Sequence, residues 1–268
     1  MTRLESLRTA ARACGRRAPP HKFARARDMP PPPTARDDDR ADEHCRSMSI
    51  ALDVVSAASG SAYVELGDTK VSCAVYGPRR PRGDDAGVER GAIVVDVFRV
   101  PFARALAGAN GDAGAKRREN VTKSAADVEL ESRTLEALEA SVLVESFPRA
   151  QVDVYVTILD AAGGEAVACV VAASAALARA GVEQRDLTSA CECARIGKRL
   201  VLDPTEAELE ASDGKVFLAQ MSSIGSVSKS EMFGRWDADE SRRALEACAS
   251  GCNRFDAVMR EALRGAKW

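Results

Sequence analysis

The chain has few histidines, a small net charge and no long apolar run, and each of these features excludes a class of function. The two histidines, His21 and His44, precede the first predicted strand, so a Ser–His or Cys–His catalytic pair has no base in the predicted core. No apolar run reaches about 18 residues, which predicts that no helix spans a membrane. A formal net charge of −2, from 38 basic and 40 acidic residues, argues against an overall polyanion-binding surface.

Motifs for phosphate loops and metals are also missing. The chain has neither a Walker loop nor a GxGxxG motif. The pairs Cys191/Cys193 and Cys248/Cys252 lack zinc-site spacing, so we predict no metal and no cofactor. Several of the eight cysteines fall at apolar periodic positions, as reduced core cysteines do. A reducing compartment is therefore predicted.

The N-terminal stretch, residues 1–35, differs from the rest because it is basic and contains Pro30–Pro33. Such a sequence cannot bury enough apolar surface to order itself, which predicts a disordered arm. The pattern of Arg3, Leu4, Leu7 and Arg8 also fits an organelle transit peptide, so that alternative stays open. Residues 36–268 are predicted to form one domain.

A β-hairpin is the strongest structural signal. Residues 60–79 read GSAYVELGDTKVSCAVYGPR, in which apolar residues alternate on both sides of Gly67-Asp68. Gly77-Pro78 is predicted to stop the second strand, leaving a basic loop that begins at Arg79.

The remaining pattern predicts an α+β fold of mixed sheets with packed helices. Further strands are predicted at 48–55, 91–100, 151–159, 186–194, 198–202, 216–220 and 223–230. The near-continuous apolar run 91–100 is predicted to lie centrally in its sheet. A helix is predicted after the cap pair Ser124/Asp127, with Val128, Leu135 and Leu138 on its buried face. Two more helices are predicted, a fully apolar one over 166–180 and a long amphipathic one over 237–263.

Several of these stretches resemble one family. The hairpin string resembles the opening hairpin of the RNase PH family, especially the ring subunits of the eukaryotic RNA exosome. Residues 36–46 resemble the lead-in segment of those subunits, with Asp39 where glycine is usual. The stretches 147–154, 180–187 and 202–208 are most similar to exosome component six, the Mtr-three type of ring subunit. The runner-up is the catalytic-lineage ring subunit, which shares the hairpin. The resemblance covers about residues 36–265 and implies an RNase PH-like fold (ribosomal protein S5 domain 2-like).

The resemblance also implies which positions would carry phosphorolysis, the attack of inorganic phosphate on an RNA 3′ end. Arg133 matches one phosphate-binding arginine, but Ala166, after the Gly163-Gly164 turn, stands where the second belongs. The two metal-binding aspartates fall, counted from Asp203, on Leu209 and Lys215. We therefore predict that the chain is not an enzyme and has no catalytic residue, with an active phosphate-dependent 3′–5′ exoribonuclease as the alternative.

A noncatalytic member would scaffold the ring and help guide RNA through its channel. The resemblance implies as partners the other ring subunits, S1/KH cap proteins, a hydrolytic nuclease and single-stranded RNA, in the nucleus, nucleolus and cytoplasm. Basic side chains give affinity for the RNA backbone, and the candidates are Arg79, Arg80, Arg82, Lys116, Arg117, Arg118 and Arg133. A free-standing RNA-binding module is a third hypothesis, distinguished by monomeric behaviour in solution.

Overall fold

The computed structural model describes residue 36 and residues 38–80, 90–100 and 123–266. The predicted arm 1–35 lies outside them, as do Arg82 and the cluster Lys116, Arg117 and Arg118. Two sheets carry the fold. The first has five strands in the order β1-β2-β3-β5-β4 and the second four in the order β7-β6-β8-β9. The predicted α+β architecture is confirmed.

The predicted hairpin opens the first sheet. The strands β1 (Met48–Leu52), β2 (Gly60–Leu66) and β3 (Thr69–Arg79) are antiparallel neighbours. Gly67 takes a φ of 57° at the turn, a conformation that glycine adopts without steric cost. The predicted stop at Gly77-Pro78 was wrong: the ladder to β5 shifts register between Tyr76 and Arg79 and resumes there. Such an irregularity absorbs a proline, which cannot donate to the ladder.

The apolar strand β4 (Ala92–Arg99) is an edge strand, so its predicted central position was wrong. It pairs in parallel with β5 (Gln151–Asp160) and has no partner on its other side among the described residues. Ile93, Val95 and Val97 face the core, whereas Val94 and Phe98 are 43% and 41% exposed. A continuous apolar run therefore marks two apolar faces here, of which the described residues cover one.

The first helix, α1 (Ala125–Glu139), begins where the cap pair predicted. Ser124 and Asp127 form a reciprocal capping box. Its predicted buried face was right for Leu138, which is fully buried, and for Leu135, which packs partly buried against the core. It was wrong for Val128, which is half-exposed, and it missed Leu130 and Ala137. The helix packs on β4, and a single 3₁₀ turn (Val144–Ser146) follows it.

The fully apolar helix α2 (Glu165–Arg179) is the centre of the fold. It contacts β2 and β3 of the first sheet and β6 of the second. Its residues from Ala166 to Leu177 are buried on every side, as the all-round apolar pattern predicted. The second sheet comprises β6 (Thr188–Ile196), β7 (Arg199–Leu202), β8 (Gly214–Met221) and β9 (Ser226–Gly234), with the short helix α3 (Glu206–Glu210) before β8.

The last helix, α4 (Ala238–Gly265), covers the second sheet through the predicted stripe of Cys248, Cys252, Phe255 and Met259. Gly251 lies inside this continuous helix because of close packing: a Cβ there would lie 2.4 Å from the Sγ of Cys191. The seven cysteines in the described ranges are free, and six of them are buried. This agrees with the prediction of reduced core cysteines. Within the described ranges, none of the helices combines the length and apolarity needed to cross a bilayer.

Candidate active-site cavity

A cavity of about 250 Å³ opens between α1, the turn before α2, and the second sheet. It gathers the positions that the resemblance assigned to phosphorolysis. Its lining residues are Arg99, Ala126, Glu129, Leu130, Arg133, Gly163, Gly164, Glu165, Ala166, Glu192, Glu206, Leu209 and Lys215. Residues far apart in sequence therefore meet at one site, and Leu209 and Lys215, the positions counted from Asp203, both face it.

Arg133 is buried at the cavity wall, with 7% of its surface exposed. Its Nη2 lies 2.7 Å from Oε1 of Glu129, and its Nε lies 2.8 Å from Oε2 of Glu231 on β9. The second contact is an ion pair whose angles fall outside hydrogen-bond geometry. The guanidinium also lies 5.5 Å from the Phe217 ring centroid. Two carboxylates therefore already neutralise the one phosphate-binding cation that the sequence retains.

A second arginine reaches the cavity from β4, and sequence reasoning missed it. Arg99 donates to both carboxylate oxygens of Glu165, at 2.6 Å from Nη1 to Oε1, and its Nε lies 3.2 Å from Oδ1 of Asp127. The hydrogen bond to Glu165 raises the pKa of Arg99. Ala166, the next residue, has no polar side-chain atom and is buried. At the turn before α2, a carboxylate–arginine pair therefore replaces a free cation.

Glu192 on β6 is the least expected lining residue. It is 5% exposed, and no hydrogen bond or ion pair of its carboxylate is formed with any described residue. Burial raises its pKa above the ordinary value, because the charged form loses water. The only sequence signal was an acid between Cys191 and Cys193, whose own neighbours Ala190 and Ala194 are also apolar.

Two acids of the stretch that begins at Asp203, namely Asp203 itself and Glu208, have arginine partners. Arg46 contacts Asp203 through two nitrogens, at 2.7 Å from Nη2 to Oδ1 and 3.0 Å from Nε to Oδ2. Arg36 contacts Glu208 in the same bidentate way, at 2.8 Å and 3.0 Å. We call these four residues the lead-in clamp, because they fasten residues 36–46 to the second sheet. Asp39 in this segment has a φ of 54°, which accounts for the family's usual glycine.

Glu206 is the acid of this stretch that faces the cavity. Thr205 caps α3 and forms a capping box with Glu208. Burial, with the charges of Glu165 and Glu210, raises the pKa of Glu206. Within the described ranges, no group of three or more His, Cys, Asp or Glu side chains is arranged to hold a metal ion.

The structure describes three of the seven predicted RNA-binding residues. Arg79 ends β3 and pairs with the buried Asp153 of β5. Arg80 is exposed, and no partner of its side chain is found among the described residues. Arg133 lies in the cavity wall, apart from both. Arg79 and Arg80 are therefore adjacent in sequence, but among the described residues only Arg79 has an ion-pair partner.

Comparison with known proteins agrees with the fold. The sequence model of the RNase PH family, described as the 3′ exoribonuclease family, domain 1, matches residues 44–183. The exosome complex component Rrp41 of Cenarchaeum symbiosum (strain A) is 31% identical over 227 residues, covering 84% of this chain and 89% of the relative. The Arabidopsis thaliana exosome complex component RRP41-like is 30% identical over 230 residues, covering 86% and 84%.

Two solved structures share the fold. Rice (Oryza sativa) Rrp46 superposes with a TM-score of 0.71 at 22% identity, covering 85% of this chain and all (100%) of the rice chain. A chain of the Archaeoglobus fulgidus exosome with RNA bound to the active site superposes with a TM-score of 0.67 at 22% identity, covering 83% and 91%. The fold is thus RNase PH-like. The chain belongs to the RNase PH family of 3′ exoribonucleases.

Proposed function

We propose that this chain is a noncatalytic RNase PH-like ring subunit of the RNA exosome. In this role it scaffolds the ring and helps guide single-stranded RNA through the central channel for 3′–5′ processing and degradation. The similarity to Rrp41 components along most of both chains supports the assignment to the complex. The composition of the cavity supports the loss of activity.

The charge of the cavity is the observation that carries this proposal. Phosphorolysis requires cations that hold a phosphate dianion and carboxylates that bind Mg²⁺. Three cationic and four carboxylate side chains line the cavity. Arg133 and Arg99 are each paired with two carboxylates. Ala166, at the position of the missing arginine, cannot bond phosphate, and Glu165 beside it repels an anion. Leu209 and Lys215, at the positions of the two acids, cannot bind Mg²⁺.

The proposed partners are the other ring subunits, S1/KH cap proteins, a hydrolytic nuclease and RNA, in the nucleus, nucleolus and cytoplasm. An open apolar face on the first sheet supports a scaffold role. Val94 and Phe98 of β4 and Tyr155 of β5 project from the side away from the core and are 39–43% exposed. Apolar groups that cluster at a surface favour contact with another chain. The Mtr-three subunit type stays a prediction, since the relatives compared above carry the name Rrp41.

The proposed RNA path uses basic side chains at the rim of the ring. Arg80 is the best supported, because it is exposed and its charge is not committed. Arg79 adds positive potential next to it. Arg82 and the cluster 116–118 belong to the same proposal on sequence grounds alone. We expect Arg80→Glu to weaken RNA binding by the assembled complex without lowering the melting temperature of the chain, because the side chain is exposed.

An active phosphorolytic exoribonuclease is the alternative, favoured by Arg133 beside an intact Gly163-Gly164 turn. The two are separated by incubating the purified chain with single-stranded RNA, Mg²⁺ and phosphate. We expect no nucleoside diphosphate. Phosphate-dependent release that Arg133→Ala abolishes would overturn the noncatalytic assignment. Recovery of the other ring members by co-purification from cells tests the assignment to the complex, whereas a stable monomer without partners would favour the free-standing RNA-binding module.

A further inference from the structure

The unpaired carboxylate of Glu192 indicates that the cavity has its own ligand. A buried carboxylate without a partner is costly, and proteins normally pair such groups. The nearest available cation does not pair with it. Lys215 directs its ammonium over the Phe233 ring, 5.1 Å from the centroid, and forms no ion pair with Glu192. A buried carboxyl group therefore faces the cavity without a hydrogen-bond or ion-pair partner among the described residues, and Lys215, Arg133 and Arg46 act on it only as charges at a distance.

The cavity favours a positively charged occupant. Arg99 is committed to Glu165 and Asp127, and Arg133 to Glu129 and Glu231. Glu192 and Glu206 remain without ion-pair partners among the described residues. Lys215 is the one lining cation without an ion pair among the described residues, so two uncommitted carboxylates face one uncommitted cation and the balance favours an incoming cation.

The walls indicate an organic cation rather than a metal ion. Ala126, Leu130, Ala166 and Leu209 give the cavity an apolar side, and its volume of about 250 Å³ exceeds what an ion requires. Within the described ranges no group of three or more ligating side chains could hold a metal. An aliphatic stem can pack on these apolar side chains while its charged end donates hydrogen bonds to Glu192.

We propose that this cavity binds an alkylammonium or alkylguanidinium group, with Glu192 as the acceptor and Ala166 and Leu209 as the apolar wall. This inference rests on the proposed loss of phosphorolysis, since an active enzyme keeps this space for phosphate and RNA. The group can belong to a free polyamine or to a lysine or arginine side chain of another protein.

The test is calorimetric titration of the full chain with defined probes. Putrescine and agmatine represent free amines, and N-acetyl-arginine amide and N-acetyl-lysine amide represent protein side chains. We expect saturable binding of at least one pair, and the tighter pair identifies the source. Glu192→Gln, which keeps the size and removes the charge, should weaken binding at least about tenfold. Glu246→Gln, on the exposed side of α4 and outside the cavity lining, is the matched control and should leave binding nearly unchanged.

A second variant protects the test from a folding defect in Glu192→Gln. Leu209→Arg attaches a guanidinium to the cavity wall, so it should block the probes and raise the melting temperature, whereas Leu209→Glu should lower it. Absence of saturation at about 10 mM of every probe, or equal binding by wild type and Glu192→Gln, overturns the inference. If RNA is also not phosphorolysed, the proposed function survives. Phosphate binding together with phosphorolysis overturns both.

Discussion

The lead-in clamp and the cavity both bring arginines to carboxylates, but the numbers of positive and negative charges match only in the clamp. In the clamp, Arg36 and Arg46 each meet one acid through two nitrogens, and the remaining donors reach backbone carbonyls such as those of Leu202 and Gly163. In the cavity, acids outnumber cations and Glu192 is left over. The clamp is therefore complete by itself. The cavity is not complete in this sense, because Glu192 and Glu206 have no ion-pair partner among the described residues.

The largest effect is expected from breaking the clamp. Arg36→Ala leaves Glu208 buried without its cation and several carbonyls without a donor. We expect the free energy of unfolding to fall by about 3–5 kcal/mol, measured by urea denaturation. Arg242→Ala is the control, because Arg242 forms only exposed pairs with Asp239 and Glu246. A loss for Arg36→Ala no larger than that of the control would show that the clamp is dispensable.

The same Glu→Gln substitution at two positions sharpens the comparison, because the resulting change in the free energy of unfolding should have opposite signs. Glu208→Gln removes charge-assisted hydrogen bonds to Arg36 and should destabilise by about 1–3 kcal/mol. Glu192→Gln removes an unpaired buried charge and should stabilise by about 1 kcal/mol. Denaturation of the two variants at neutral pH measures both. If Glu192→Gln destabilised as much as Glu208→Gln, Glu192 would have a partner that the structure does not describe.

The pH dependence of stability isolates Glu192. Its pKa is raised from an ordinary 4.5, so between that value and the folded-state pKa the folded chain binds more protons than the unfolded chain. Its contribution therefore stabilises at low pH and is lost as pH rises through that window. Lys215, Arg133 and Arg46 favour the charged form, and Asp203 opposes it. The difference between wild type and Glu192→Gln should follow this trend, and a difference that is constant with pH contradicts the assignment.

The smallest effect is expected at the rim of the cavity. The Glu129 side chain is 62% exposed although it pairs with Arg133. Solvent screens such a pair, so Glu129→Gln should change the free energy of unfolding by less than about 1 kcal/mol. Thermal denaturation checks this. A loss as large as that of Arg36→Ala would mean that Arg133 depends on Glu129 alone and not on Glu231.

Most elements of the fold could be predicted from the sequence because their signals are local. Alternation fixed β2 and β5, the Ser124/Asp127 pair fixed the start of α1, and the all-round apolar pattern fixed α2. The edge position of β4 could not be predicted, since an apolar run looks the same whether its second face meets this chain or another one. The strand beyond Gly77-Pro78 was missed because its continuation depends on the register of β5.

The cavity could be predicted in part. The family resemblance identified Arg133, Ala166, Leu209 and Lys215, and the structure brings them together. It could not identify Arg99 or Glu192, which reach the cavity from strands whose pairing is tertiary. Neither could it show that Glu231, on β9, shares Arg133 with Glu129. The pairing of each arginine with its carboxylates depends on sheet registers, which bring together residues about a hundred positions apart in the sequence.

The lead-in clamp also has a consequence for the order in which the chain is completed. Arg36 and Arg46 are synthesised long before Glu208 and Asp203, which lie 172 and 157 positions further on. Until those acids emerge from the ribosome, the two guanidiniums have no site to occupy and stay in water. We therefore expect residues 36–46, although they are made early, to dock among the last. In a nascent chain halted before Asp203, this segment should stay undocked and be open to proteolytic cleavage.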